Sequence, residues 1–237
     1  MVVPGDSVGG SAGRTSARQA VVVLAEPTAA NRDQWATMLG GEVLDALLNA
    51  RLLDVLTSLL QLNGATTTIV GNDLEATERL RLLTPPGVDL VTADPQGSDS
   101  GPLLTAAWAI AHLLEREFER VVVLRELVLP VSVRTVATAL SVLATADLVA
   151  APAPGGGLAL VGAGQATGTA CIGSIGEATL ATLEQAAIED GLVLRRVERQ
   201  RLLDPGAGIL RLVPEIERLG EAATHLRRWL ADHGQRA

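Results

Sequence analysis

Ala20-Val21-Val22-Val23-Leu24-Ala25 is an unbroken apolar run, the pattern of a strand buried on both faces rather than one alternating between core and water. Arg120-Val121-Val122-Val123-Leu124 repeats it later in the chain. Between the two the period changes. Across residues 41–62, Leu44, Leu47, Leu48, Leu52, Val55, Leu56 and Leu59 recur at intervals of three and four, which draws one stripe along about six helical turns. Residues 65–70 (ATTTIV) read as a second strand, 74–83 as a short helix and 88–93 (VDLVTA) as a third strand. Helical spacing returns at 103–118 and 132–144, and 147–151 (DLVAA) reads as a further strand.

Strands alternating with helices of this length form βαβ units, so the expected fold is α/β, a doubly wound, mostly parallel sheet covered on both faces. Residues 21–24, 121–124 and 148–151 are its expected central strands. Beyond them strict alternation stops: residues 158–161 suit only a short strand, and a Gly/Ala/Thr-rich loop runs on to Thr169. A helix over 177–189, a strand over 192–197 and a last amphipathic helix over 216–232 complete the reading.

Composition narrows the chemistry. Hydrophobic residues make up 48% of the chain but aromatics only 2%, so the core must be aliphatic. There is no lysine, and all 19 basic residues are arginine, which excludes lysine Schiff bases and lysine-held phosphates. A net charge of −8 opposes contact with a polyanion, so nucleic acid is not an expected partner. Cys171 is the one cysteine and reads as a small buried residue; His112, His225 and His233 lack zinc-ligand spacing. The expected location is cytoplasmic. A Gly/Ser-rich leader over residues 1–18 precedes an expected single domain over 19–237. Arg14 and Arg18 stand before an apolar stretch shorter than the ~7–15 residues of a signal peptide, and no run reaches the ~18 of a membrane span.

Three segments carry a family resemblance. Pro152-Ala153-Pro154-Gly155-Gly156-Gly157-Leu158-Ala159-Leu160-Val161-Gly162 is similar to the P-A-x-D-G-G-Y-Y-L-x-G motif of the DUF2064 group of nucleotide-diphospho-sugar transferases, bacterial glycosyltransferase-A-like proteins. Gln96-Gly97-Ser98-Asp99-Ser100-Gly101 resembles that family's Q-x-x-G-D-L-G-x-R segment with a one-residue slip, and Arg51-Leu52-Leu53-Asp54-Val55-Leu56 resembles its helix-borne L-x-D-T-L. Asp204 in Leu203-Asp204-Pro205-Gly206 is similar to a late D-x-D-T-P segment, though Asp-Pro-Gly is also a generic turn. The similarity spans roughly residues 21–219 and implies a sheet of the glycosyltransferase-A type. It also implies three working loops: a basic K-T-R-L loop for nucleotide phosphates after the first strand, a G-x-D-x-P aspartate for a divalent metal after the fourth, and the D-G-G aspartate near the acceptor.

This sequence departs from all three. The loop after the first strand reads Glu26-Pro27-Thr28-Ala29-Ala30-Asn31-Arg32-Asp33-Gln34-Trp35, with Arg32 its one cation; Arg125 or Glu126 stands where the metal-binding aspartate belongs; Gly155 replaces the D-G-G aspartate. An apolar skeleton kept with its charges lost describes a degenerate member.

Ligands of doubly wound sheets lie beyond the carboxyl ends of the strands. That places Glu26, Pro27, Arg32, Asp94, Gly101, Arg125, Gly155, Gly156 and Gly157 as nucleotide-binding candidates, and Glu126 and Asp99 as candidate catalytic carboxylates. Each has a plainer reading. Asp99 suits an N-cap, Glu126 a solvated pair with Arg125 at the sheet edge, and the three glycines a simple turn. The expected function is a nucleotide-diphospho-sugar-transferase-like protein whose degenerate, weakly active or inactive site is retained for a ligand or partner. The alternative is an active metal-dependent glycosyl- or nucleotidyltransferase in which Glu126, helped by Asp94, and Asp99 replace the usual carboxylates. A phospholactate guanylyltransferase type, which the early helix also resembles, is a variant of that alternative. No metal site or certain cofactor is expected, Mg²⁺ or Mn²⁺ belonging to the active alternative alone. The expected ligand is a nucleotide or nucleotide sugar, and a homo-oligomer or protein partner stays open.

Overall fold

In the computed structural model, which describes residues 18–27, 29–93, 102–175, 179–203 and 209–233, the apolar runs lie side by side. The strands are β1 (Gln19–Leu24), β2 (Ala65–Gly71), β3 (Val88–Thr92), β4 (Arg120–Leu124), β5 (Leu148–Pro152), β6 (Leu158–Ala163) and β7 (Leu194–Arg196). They form one sheet in the order β3-β2-β1-β4-β6-β5-β7. Pairs β1–β2, β1–β4, β2–β3 and β5–β7 are parallel, while β6 runs antiparallel to both β4 and β5. The fold is the expected doubly wound, mostly parallel α/β sheet, and none of β1, β4 and β5 lies at an edge.

The side chains of the central strands alternate between two cores, which explains their unbroken apolar character. Ala20, Val22, Leu24, Val121, Val123, Leu148 and Ala150 face α4 (Pro102–Glu115), α6 (Ala166–Ser174) and α7 (Leu180–Glu189). Val21, Val23, Val122, Leu124, Val149 and Ala151 face the opposite way, onto α2 (Gly41–Leu59), α3 (Leu74–Arg81) and α5 (Val133–Val142). The α2 stripe splits. Leu52, Val55, Leu56 and Leu59 pack on the sheet, whereas Leu44, Leu47 and Leu48 enter a third cluster with Trp35 of α1 (Ala29–Leu39), Ile216 of α8 (Ile209–Leu219) and Leu226 and Trp229 of α9 (Thr224–His233). Leu127 and Leu129, just beyond β4, belong to that third cluster. The C-terminal helices thus cover the loop that leaves β4.

Three stretches differ from the sequence reading. Residues 164–169 are not a loop to their end: α6 begins at Ala166. Its small residues serve close approach, since a Cβ on Gly168 would lie 2.9 Å from the Asp147 carbonyl oxygen and 3.0 Å from the Ala163 Cβ. The segment after β1 turns into α1 at Ala29 although it carries no apolar stripe; Trp35, 3% exposed, anchors it. The last helix is two, because Gly220 at φ 56° takes a left-handed conformation and a 3-10 turn over Gly220–Ala223 separates α8 from α9. The leader residues 1–17 lie outside the described residues. No helix among the described residues is long and apolar enough to cross a membrane.

Candidate functional site

Beyond β1 the chain meets α1, α2 and α3 through charge. Glu26 Oε1 accepts a hydrogen bond from Arg79 Nη2 of α3 at 2.5 Å and lies 3.8 Å from Arg32 Nη1 of α1. Arg32 Nη2 in turn donates to Asp45 Oδ1 of α2 at 2.6 Å. These four side chains rim a pocket of about 270 Å³ whose apolar lining includes Leu48, Leu52, Leu80 and Leu83. Pro27 follows Glu26 and accepts a long hydrogen bond from Asn72 Nδ2, 3.5 Å from its carbonyl oxygen. Arg32 is therefore shared between two carboxylates.

Beyond β4 the charges are deeper. Arg125 Nη1 donates to the Leu158 carbonyl at 3.0 Å, and its Nη2 and Nε donate to Glu126 Oε1 at 2.8 Å and Oε2 at 3.3 Å. Glu126 is 1% exposed. The pairing with Arg125 is thus present, but it is buried behind a central strand and not solvated at a sheet edge. Below it lies Arg51 of α2, fully buried, donating to the carbonyls of Ala25 at 3.2 Å and Val128 at 3.5 Å. Burial pulls the Arg51 guanidinium down to about 10, against the Glu126 carboxylate, which raises it. Both Glu126 oxygens already hold hydrogen bonds and face no open solvent. Among the described residues no group of three or more His, Cys, Asp or Glu side chains converges on one point.

Beyond β5, Pro154–Gly156 forms an exposed 3-10 turn closed by Ala153 N–H to the Gly157 carbonyl at 2.7 Å. Gly155 at φ 83° and Gly156 at φ 89° are both left-handed, a conformation that favours glycine. A Cβ at either would meet nothing within 4 Å, so open space adjoins the turn. Gly157 bridges to Thr179.

The structure gathers Glu26, Pro27, Arg32, Arg125, Glu126 and Gly155–Gly157 around the carboxyl ends of β1, β4 and β5. Asp94, Asp99 and Gly101, together with Asp204, lie outside the described residues. Arg51, Asp45, Arg79 and Asp54 escaped the sequence reading as part of this framework. Arg51 had a signal: it is a charge on the α2 leucine stripe, three residues after Leu48 and four before Val55. Asp54, in the segment resembling L-x-D-T-L, accepts the backbone N–H groups of His225 and Leu226 at 2.9 Å each. It caps α9 from a distant helix; burial raises its carboxyl above the usual range, opposed by those two amides and by His225. Cys171 is 1% exposed and desolvation, with Asp190 adding to it, pushes its thiol up to about 11, an inert state.

No protein-family model and no curated protein matches the chain. Solved structures do. A protein of Desulfovibrio desulfuricans, provisionally assigned as a nucleotide-diphospho-sugar transferase, superposes with a TM-score of 0.74 at 14% identity, over 92% of this chain and 95% of that one. A nucleotidyl transferase from Methanothermobacter superposes at 0.53 with 18% identity, over 94% and 99%. A CMP:2-keto-3-deoxy-manno-octonic acid synthetase in complex with CTP superposes at 0.51 with 13% identity, over 85% and 98%. The chain has the fold of the nucleotide-diphospho-sugar transferases.

Proposed function

We propose that this is a nucleotide-diphospho-sugar-transferase-like protein with a degenerate, weakly active or inactive site, retained in the cytoplasm to bind a nucleotide, a nucleotide sugar or a protein partner. The observation that carries the reading is the internal pairing of the charges on either side of the crevice, and magnitudes separate the two sides. Arg32 and Asp45 are part-exposed, and such pairs are worth only about 0.2–1 kcal/mol, so an incoming phosphate can recruit Arg32 at little cost. Drawing Glu126 away from Arg125 and Arg51 is another matter, since breaking a buried pair costs about 3–5 kcal/mol. Weak anion binding therefore survives at the β1 side, while metal-assisted transfer through Glu126 is opposed. The fold neighbours include a synthetase that binds CTP, which supports a nucleotide as the ligand class.

A thermal-shift screen with UDP-, GDP- and dTDP-sugars and nucleoside triphosphates, with and without Mg²⁺ or Mn²⁺, tests the proposal. A ligand present at 100 times its Kd adds about 2.7 kcal/mol of stability. The expected result is modest stabilisation by some nucleotide, equal with and without metal. Stabilisation that requires Mg²⁺ or Mn²⁺ would instead favour the active metal-dependent transferase.

A further inference from the structure

Arg51 sits among leucines, with no exposed surface. Burying a guanidinium removes water from five donors, which is unfavourable unless protein acceptors replace it. The acceptors come from two different loops: the Ala25 carbonyl directly after β1 and the Val128 carbonyl after β4. Arg51 Nε has no partner among the described residues, so the fork is committed to those two carbonyls. Glu126, its counter-charge, lies in the same loop as Val128 and is gripped by Arg125. Strands β1 and β4 are hydrogen-bonded neighbours, yet among the described residues no backbone hydrogen bond joins the loops that follow them. Ala25 N–H goes to Val70 and Arg125 N–H to Ala159.

We infer that Arg51 is a positioning residue that fixes the loop after β1 against the loop after β4, and so sets the spacing of two walls of the candidate crevice. Its bearing on ligand rests on the reading of that crevice given above; the positioning itself is measurable without ligand. A lysine cannot replace it, because a single ammonium lacks the planar fork that spans two separated carbonyls.

Amide hydrogen exchange on the full chain tests this with Arg51→Met, Arg51→Lys and the double variant Arg51→Met/Glu126→Leu. Arg51→Met should speed exchange about tenfold or more at Ala25 and at residues 125–129 while the β5–β6 pairing keeps its protection, since local opening is independent of the global reaction. Arg51→Lys should leave at least one of the two loops fast. The double variant removes Arg51 with its counter-charge but also frees Arg125 from its carboxylate, so it is read at Ala25, in the loop after β1, which should still exchange fast. Recovery of wild-type exchange in the double variant would overturn the inference, because Arg51 would then serve only to neutralise Glu126. Equal acceleration in every strand would overturn it as well. UDP titration of the same proteins keeps the two readings apart: fast loops with unchanged UDP affinity support the positioning role and remove the crevice as the UDP site.

Discussion

Glu126 is the residue on which the sequence and the structure differ most. In the sequence it stands beside Arg125 at the end of a strand, as a metal ligand or a solvated pair. In the structure both its oxygens are held by Arg125 at 2.8 and 3.3 Å, and the buried Arg51 shares its field. Glu126→Ala should therefore cost about 3–5 kcal/mol in urea denaturation, the penalty of leaving buried cations uncompensated. A loss below about 1 kcal/mol, the range of exposed pairs, would show Glu126 to be solvated. This setting was not legible in the sequence because Arg51 lies far upstream, and only the three-dimensional meeting of α2 with the β4 loop brings its charge to bear on Glu126. Gly155 was more readable. Its place in a Pro/Gly run signals a turn, and its φ of 83° gives the reason for glycine.

Among the elements, α2 joins the parts of the molecule. Its C-terminal leucines pack on the sheet, its N-terminal leucines on the C-terminal helices, and Asp54 caps α9 through the amides of His225 and Leu226. Removing a capping side chain costs about 0.5–2 kcal/mol. Asp54→Ala should lose that much stability, with the faster amide exchange concentrated in α9; unchanged exchange there would refute the cap. The α2 stripe was legible from its three- and four-residue spacing, and so were the strands that are apolar on both faces. Helix α6 was not, because Gly168 leaves room for the Asp147 carbonyl and Ala163, and small residues in a row read as a loop. Helix α1 was hidden for a different reason: it docks through Trp35, with Ala36 and Leu39 packed beside it, and carries no periodic stripe.

At the scale of the whole molecule, the sheet followed from alternation of strands and helices, but its order did not. The insertion of antiparallel β6 between β4 and β5 depends on the Pro154–Gly156 turn and on Gly162, where a Cβ would stand 2.7 Å from the Val121 carbonyl oxygen. That insertion puts the turn of three glycines at the same end of the sheet as Glu26 and Arg125. Under the proposed function, the loops at this end of the sheet keep a weak anion subsite and hold no tight divalent metal. Calorimetric titration of Mn²⁺ into the purified protein, alone and with saturating UDP, tests that claim most directly. The expected result is no saturable Mn²⁺ binding in the micromolar range and the same weak UDP affinity with or without Mn²⁺, because both Glu126 oxygens are committed to Arg125. Low-micromolar Mn²⁺ affinity that is lost in a folded Glu126→Gln variant would contradict it.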